Sequence, residues 1–199
     1  MRKEYDFSHG IRGSHVGKHI QIVGDISAAS TADLETSASS KTTHTLIGTA
    51  GEYYVCAELC RLGYLALLTP KNNPLFDVVA TNVDGTTSVS VQVKTRSMRN
   101  KQGWKLNKEA RPSKTPGVPF VVLVNLRDEL PPLFYIYRYT EFLSRTSEIF
   151  ETYISKPKRN GEPRKDPGFR WFDESNFIES DRVRLNNWQP IIRALERKE

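Results

Sequence analysis

Phe76-Asp77-Val78-Val79-Ala80-Thr81, the pair Asp84-Gly85, and Ser88-Val89-Ser90-Val91-Gln92-Val93-Lys94 together decide the fold. The first run is apolar after its aspartate, the Asp-Gly pair favours a tight hairpin turn, and the third stretch alternates strictly. Alternation predicts a strand with its valines on one face and Ser88, Ser90, Gln92 and Lys94 on the other. Folded as a hairpin, the two runs set Asp77 and Gln92 on adjacent strands, where facing side chains lie roughly 5 Å apart. A carboxylate, an amide and an ammonium then meet in one place.

Upstream, Thr45–Leu62 has a helical pattern: Val55, Leu59 and Leu62 fall on one stripe, and Gly63 supplies the stop. Glu52 precedes Leu59 by nearly two turns and shares that inward face. A carboxylate there is costly unless it is paired or bound to metal. Downstream, Tyr64–Leu68 reads as a strand, Pro70–Pro74 as a loop, and Trp104–Leu106 as a short strand beyond a basic loop. Phe120–Leu126 is a continuous apolar run, as in a strand buried on both faces. Leu133–Tyr137 follows as a strand, then a helix over Glu141–Ile154 capped at Thr140 or the residue before it. A short helix from about Trp188 to Leu195 closes the chain.

Residues 27–45 are Ser, Thr or Ala at fourteen of nineteen positions, a composition with little to bury that reads as a linker or disordered segment. The expected organisation is therefore an extension over 1–44, with a short strand at His19–Val23, and one domain over 45–199. At 199 residues the chain has room for one domain with a substantial core.

Charge is concentrated rather than spread. The net charge is +6 and the isoelectric point is near 9.3. Eight Lys/Arg stand between Lys94 and Lys114 against Glu109 alone, and six stand between Lys156 and Arg170 against Glu162 and Asp166. Clusters of this kind suit a polyanion, because each neutralised phosphate releases condensed counterions. Arg96, Arg99, Lys101, Lys105 and Lys108 are the candidate phosphate contacts, and Trp104 among them is expected to pack beneath the sheet. Trp171 and Trp188 are expected in the core.

No apolar run approaches the roughly 20 residues of a bilayer-spanning helix, and the first residues lack a secretion signal, so a cytoplasmic protein with no membrane partner is expected. Cys56 and Cys60 lie four apart on the predicted helix without nearby histidines, a poor disulfide and a poor zinc site. His9, His15, His19 and His44 have no Cys or acid at tight ligand spacing.

The chemistry that suits the constellation is phosphodiester hydrolysis. It needs a nucleophilic water, an in-line approach and neutralisation of charge building on phosphate, most of which a divalent cation held by oxygen ligands supplies. Asp77 offers a carboxylate oxygen, Gln92 its amide oxygen, and Val93 its backbone carbonyl. Glu52 binds the metal, holds its water, or helps to bind a second ion. Lys94 orients the attacking water or stabilises the pentavalent phosphorus.

Glu52 on a helix, Asp77 at a strand start and Gln92-Val93-Lys94 resemble the PD-(D/E)xK nuclease superfamily, with Gln92 where an acid is usual. This QxK variant is similar to Mrr-type restriction endonucleases and related resolvase-like proteins, over roughly residues 45–140. Phe76 stands where that family has a proline. The resemblance implies an α/β fold of restriction-endonuclease type, a mixed central sheet flanked by helices. It also implies dependence on Mg²⁺ or Mn²⁺, and DNA hydrolysis leaving a 5′-phosphate, in restriction, defence, repair or recombination. Glu52, Asp77, Gln92 and Lys94 are then the catalytic set, and Asp77, Gln92, Glu52 and the Val93 carbonyl the metal set. Cutting both strands of a duplex calls for two active sites, which makes a homodimer the candidate assembly. Glu4–Ser8 to Arg12-Gly13 is similar to openings of small antitoxin-like proteins. With the uncharged Gln92, that similarity supports the alternative of an inactive nuclease-fold DNA- or protein-binding module in a toxin–antitoxin or defence system.

Overall fold

The computed structural model describes residues 32–70, 75–97, 99–107 and 119–197, with side chains from residue 44 onward. The predicted strand at His19–Val23, the antitoxin-like opening and Lys108 lie outside them.

Helix α1 runs Ala32–Arg61. The Ser/Thr/Ala-rich stretch expected to be a linker is therefore helical over residues 32–44, and the boundary drawn at 45 falls inside one continuous helix. The composition reported little to bury, which is a different property from helicity. Alanine is the best helix former, and adding a residue to an existing helix costs far less than nucleating one. The nucleus is the packed half, where Val55 and Leu59 are fully buried. Gly63, at φ +94°, ends it: its N–H donates to the Cys60 carbonyl and the Tyr64 N–H to the Leu59 carbonyl, closing the last turn.

Strands β1 (Leu65–Leu68), β2 (Val78–Thr81), β3 (Ser88–Arg96), β5 (Phe120–Asn125) and β6 (Leu133–Arg138) form a mixed sheet in the order β1-β2-β3-β5-β6. Only β3 and β5 are parallel; the other neighbours run antiparallel. The sheet is the middle layer. On one face Val91, Val93, Val122 and Val124 pack with α1 and with α4 (Gln189–Leu195). On the other, Val121, Leu123 and Tyr137 pack with α2 (Tyr139–Ser155) and a ribbon of β4 (Trp104–Asn107) and β7 (Phe169–Phe172). Every residue of β5 is buried, Phe120–Val124 as their apolar run predicts for a strand covered on both sides, and Asn125 with its Nδ2 donating to Glu174. The architecture is α/β, a mixed central sheet flanked by helices. No helix among the described residues is long and apolar enough to cross a membrane.

A charged pin closes the second layer. Asp181, at the end of α3 (Glu179–Arg182), is fully buried. It accepts from Tyr137 Oη (3.1 Å), Arg145 Nη2 (2.8 Å) and the Ile178 N–H (3.0 Å). Burial pushes its carboxyl up, but the Arg145 and Ile178 hydrogen bonds outweigh that and hold it below the usual carboxylate range. Its contribution to stability is accordingly complete above the unfolded-state pKa of about 3.9 and is lost as pH falls through the lower folded value. Asp181→Ala removes the buried partner of the Arg145 guanidinium, itself mostly buried, and leaves it only the half-exposed Glu148 and the Asn176 carbonyl. It should cost ~3–5 kcal/mol in urea unfolding at neutral pH, against a smaller penalty at pH 2.5.

Candidate active site

The register of β2 and β3 pairs Val78 with Val91. An unbroken ladder would next set the Val93 N–H against the Phe76 carbonyl. Instead the Phe76 carbonyl accepts from Thr69 Oγ1 (2.9 Å), and the Val93 N–H donates to Asp77 Oδ2 (2.7 Å). The Asp77 N–H reaches the Val91 carbonyl one residue off register, at 3.0 Å. Asp77 thus stands just outside β2, where the two strands part, with its carboxylate folded onto the backbone of β3. Off-register steps of this kind re-aim side chains beside functional sites.

Within a strand, N–H and C=O of one residue point to the same side. The Val93 carbonyl therefore faces the same opening as the N–H that Asp77 receives. Parallel pairing places Gln92 beside Val121 and Lys94 beside Leu123, on the face of the sheet away from α1. Both are half-buried, and Lys94 makes no ion pair with a described residue. Asp77 and the Val93 backbone are in contact, and Gln92 and Lys94 flank Val93 along β3.

Glu52 arrives from the other layer. The helix that carries it approaches β3 most closely at Gly51: a Cβ there would lie 1.9 Å from Thr95 Oγ1, 2.7 Å from Cγ2 and 2.8 Å from Cβ. Thr95 is on the α1 face of β3, and its hydroxyl donates to the Gly48 carbonyl at 3.5 Å. Glu52, next to this contact, is half-buried. Burial, then Cys60, then the charge of Glu52 push the Cys56 thiol up to about 11. Cys56 and Cys60 are free thiols.

Gly51 and Thr95 were not among the predicted site residues. The available signal was a glycine inside an apolar helix stripe, which costs about 1 kcal/mol against alanine and points to a close approach. Thr69 carries no comparable signal.

Arg96 differs from its expected role. Its guanidinium is largely buried, paired with Glu174 Oε2 at 2.6 Å and stacked 4.5 Å from the centre of the Trp104 ring. Glu174 also accepts from Asn125 Nδ2 and Tyr135 Oη, both at 3.2 Å. Arg96 therefore binds β3 to the second layer. Trp104 is buried as expected, donating Nε1–H to the Val124 carbonyl. Arg99, Lys101 and Lys105 are exposed. Trp188 is in the core, whereas Trp171 is half-buried on the outer side of β7.

The donors are hard oxygen ligands of the kind Mg²⁺ and Mn²⁺ prefer. Among the described residues Asp77 Oδ1 has no hydrogen-bond partner, while Oδ2 accepts from the Val93 N–H. No group of three or more His, Cys, Asp or Glu able to hold a metal occurs among the described residues. The chemistry of the set fits a cation that retains several waters rather than an all-protein cage.

Gly51→Ala should push α1 away from β3, because the added Cβ would lie 2.8 Å from the Thr95 Cβ, which a change of rotamer does not move. We expect a loss of ~1–3 kcal/mol in unfolding free energy, partly recovered by Thr95→Ala in the double variant.

No family model matches the sequence, and no curated protein matches it. Among solved structures, the chain is similar to a bacterial homing endonuclease, I-Ssp6803I, at 15% identity and a TM-score of 0.43, covering 75% of this chain and 92% of that one. It is also similar to Hjc, a Holliday junction resolvase from Archaeoglobus fulgidus, at 17% identity and a TM-score of 0.36, covering 65% of this chain and 86% of that one.

Proposed function

We propose that the protein is a metal-dependent endonuclease hydrolysing DNA phosphodiester bonds, a PD-(D/E)xK enzyme of the QxK kind on a restriction-endonuclease-like fold. The observation that carries it is the 2.7 Å bond from the Val93 N–H to Asp77. It fixes the carboxylate against Gln92-Val93-Lys94 at the point where β2 and β3 part.

A bound Mg²⁺ or Mn²⁺ would polarise the scissile phosphate and lower the pKa of water at neutral pH. Asp77 Oδ1, the Gln92 amide oxygen and the Val93 carbonyl would hold it, with Glu52 added from α1. Gln92 brings no charge, so Glu52 carries more of the neutralisation than it would beside an acid pair. Lys94 presents an ammonium on the same strand face as Gln92, where it orients water for in-line attack and offsets charge on the phosphoryl oxygens. Glu174 is committed to Arg96 and does not compete for that ammonium. Arg99, Lys101, Lys105 and Lys108 supply phosphate contacts along the strand.

Plasmid incubated with the pure protein and Mg²⁺ or Mn²⁺ should be nicked or linearised. Asp77→Ala and Lys94→Ala should each abolish this, and Lys94→Ala alone should still bind metal in calorimetry. Equal, contaminant-level cleavage by wild type and Asp77→Ala on several DNA forms sinks the active-nuclease proposal.

Arg99→Ala should weaken DNA binding about equally across sequences and reduce the salt slope by about 1. Arg96→Ala should instead lower the urea midpoint, since it removes the partner of Glu174.

The amide at Gln92 favours one second reading, a nuclease fold that binds DNA or protein without cutting. Absence of Asp77-dependent Mg²⁺ binding would favour it.

A further inference from the structure

Between the C-terminal half of α2, the loop 156–170 and β7 lies a cleft that the catalytic residues do not use. Its volume is about 350 Å³, within the roughly 300–1,000 Å³ of small-ligand sites. Three cations line it, Lys156, Arg164 and Arg170, and no carboxylate does. The cations are set against rings: Arg170 lies 3.3 Å from the centre of Phe150, and Arg164 lies 4.4 Å from that of Tyr153.

Only Arg170 has an acidic partner, Asp166 at 2.9 Å. Arg164 spends its Nε–H on the Lys156 carbonyl, and neither Arg164 nor Lys156 pairs with a described carboxylate. Tyr153 is 43% exposed. Trp171 completes the lining and faces Lys105 across the β4–β7 ribbon, where Lys105 Nζ lies 4.6 Å from the centre of Phe169. The inner side of the same ribbon carries Trp104, stacked with Arg96, two residues beyond Lys94. The cleft and the catalytic strand therefore belong to one continuous layer.

A partly exposed tyrosine beside Trp171, two cations without a carboxylate partner and no acid in the lining select a ligand that is at once planar and anionic. A nucleotide is both: its base stacks on aromatic side chains and its phosphate takes the guanidinium. An acidic peptide would satisfy the cations but leave the rings unused. We propose that this cleft holds one unpaired nucleotide of a DNA strand, its base on Tyr153 and Trp171 and its phosphate on Arg164 and Lys156. The flanking duplex then follows the ribbon towards Lys94. The proposal rests on the DNA-nuclease reading for its ligand and narrows the substrate to DNA with unpaired nucleotides, such as gaps, flaps or junctions.

The test uses the full chain carrying Asp77→Asn in chelator, so that nothing is cut. Fluorescence anisotropy compares a labelled duplex with the same duplex containing a central run of unpaired thymidines, while Trp171 emission is followed. The unpaired probe should bind about tenfold tighter, the scale of one base stacked on a ring, and quench Trp171. Tyr153→Ala, at an exposed position, and Arg164→Ala, at a half-buried one, should each erase the preference and leave duplex affinity near the parent value. Trp171→Phe should keep the preference and lose the quenching.

Equal affinity for the two probes overturns the proposal. So does equal quenching by heparin, which would show charge alone, or saturation by free dTMP at lower concentration than the oligonucleotide, which would show a mononucleotide site. If wild type cuts plasmid but the preference is missing, the cleft proposal fails alone. If the preference is present but Asp77-dependent cleavage is not, the cleft stands as a DNA site and the nuclease reading fails.

Discussion

The carboxylate of Asp77 does the work of a missing strand residue. Where β2 and β3 part, a buried backbone N–H must find an acceptor or cost the energy of an unmade hydrogen bond. The Val93 N–H finds Oδ2 of Asp77 rather than the Phe76 carbonyl, which has gone to Thr69. Three consequences follow from that one bond. The sheet opens, the Val93 carbonyl faces the opening, and a carboxylate is held there without a rotamer to choose. Structure and chemistry therefore share a single side chain. Its removal would take away the proposed metal ligand and leave a backbone donor unpaired, so an Asn at 77, which keeps an acceptor and loses the charge, is the cleaner probe of the two roles.

The hairpin was legible because its signals are local and independent. Alternation sets the faces of β3, Asp84-Gly85 sets the turn, and the turn sets the neighbour of Gln92. Strand β5 was equally plain, since its first five residues, Phe120 to Val124, are all apolar and leave no side suited to water. Two things were hidden. The first is the start of α1, where Ser, Thr and Ala report low burial but say nothing against helix. The second is the direction of Arg96. Lys94 and Arg96 share a strand face by the same alternation, yet that face is open at one and covered two residues later by Trp104 and Glu174. Period-2 patterning assigns a face; what covers that face is decided by a ribbon whose second strand, β7, is far away in sequence.

That ribbon also explains how the charge is arranged. Pairing of β4 with β7 sets Lys105 opposite Trp171 and Leu106 opposite Arg170, uniting the two basic segments of the chain. The inward cations have carboxylate partners, Arg96 with Glu174 and Arg170 with Asp166. Lys105 and Arg164 lean on rings instead. A ring holds a cation without neutralising it. The like charges accordingly still repel within a Debye length of about 8–10 Å at physiological salt. The buried rings beneath, with Trp104 against Phe177 and Tyr137 against Phe172, hold the ribbon in place against that repulsion. A polyanion laid along the ribbon would relieve it. On the proposed reading, DNA binding and ribbon stability would be coupled through the same charges, each phosphate contact made also removing a destabilising term from the fold.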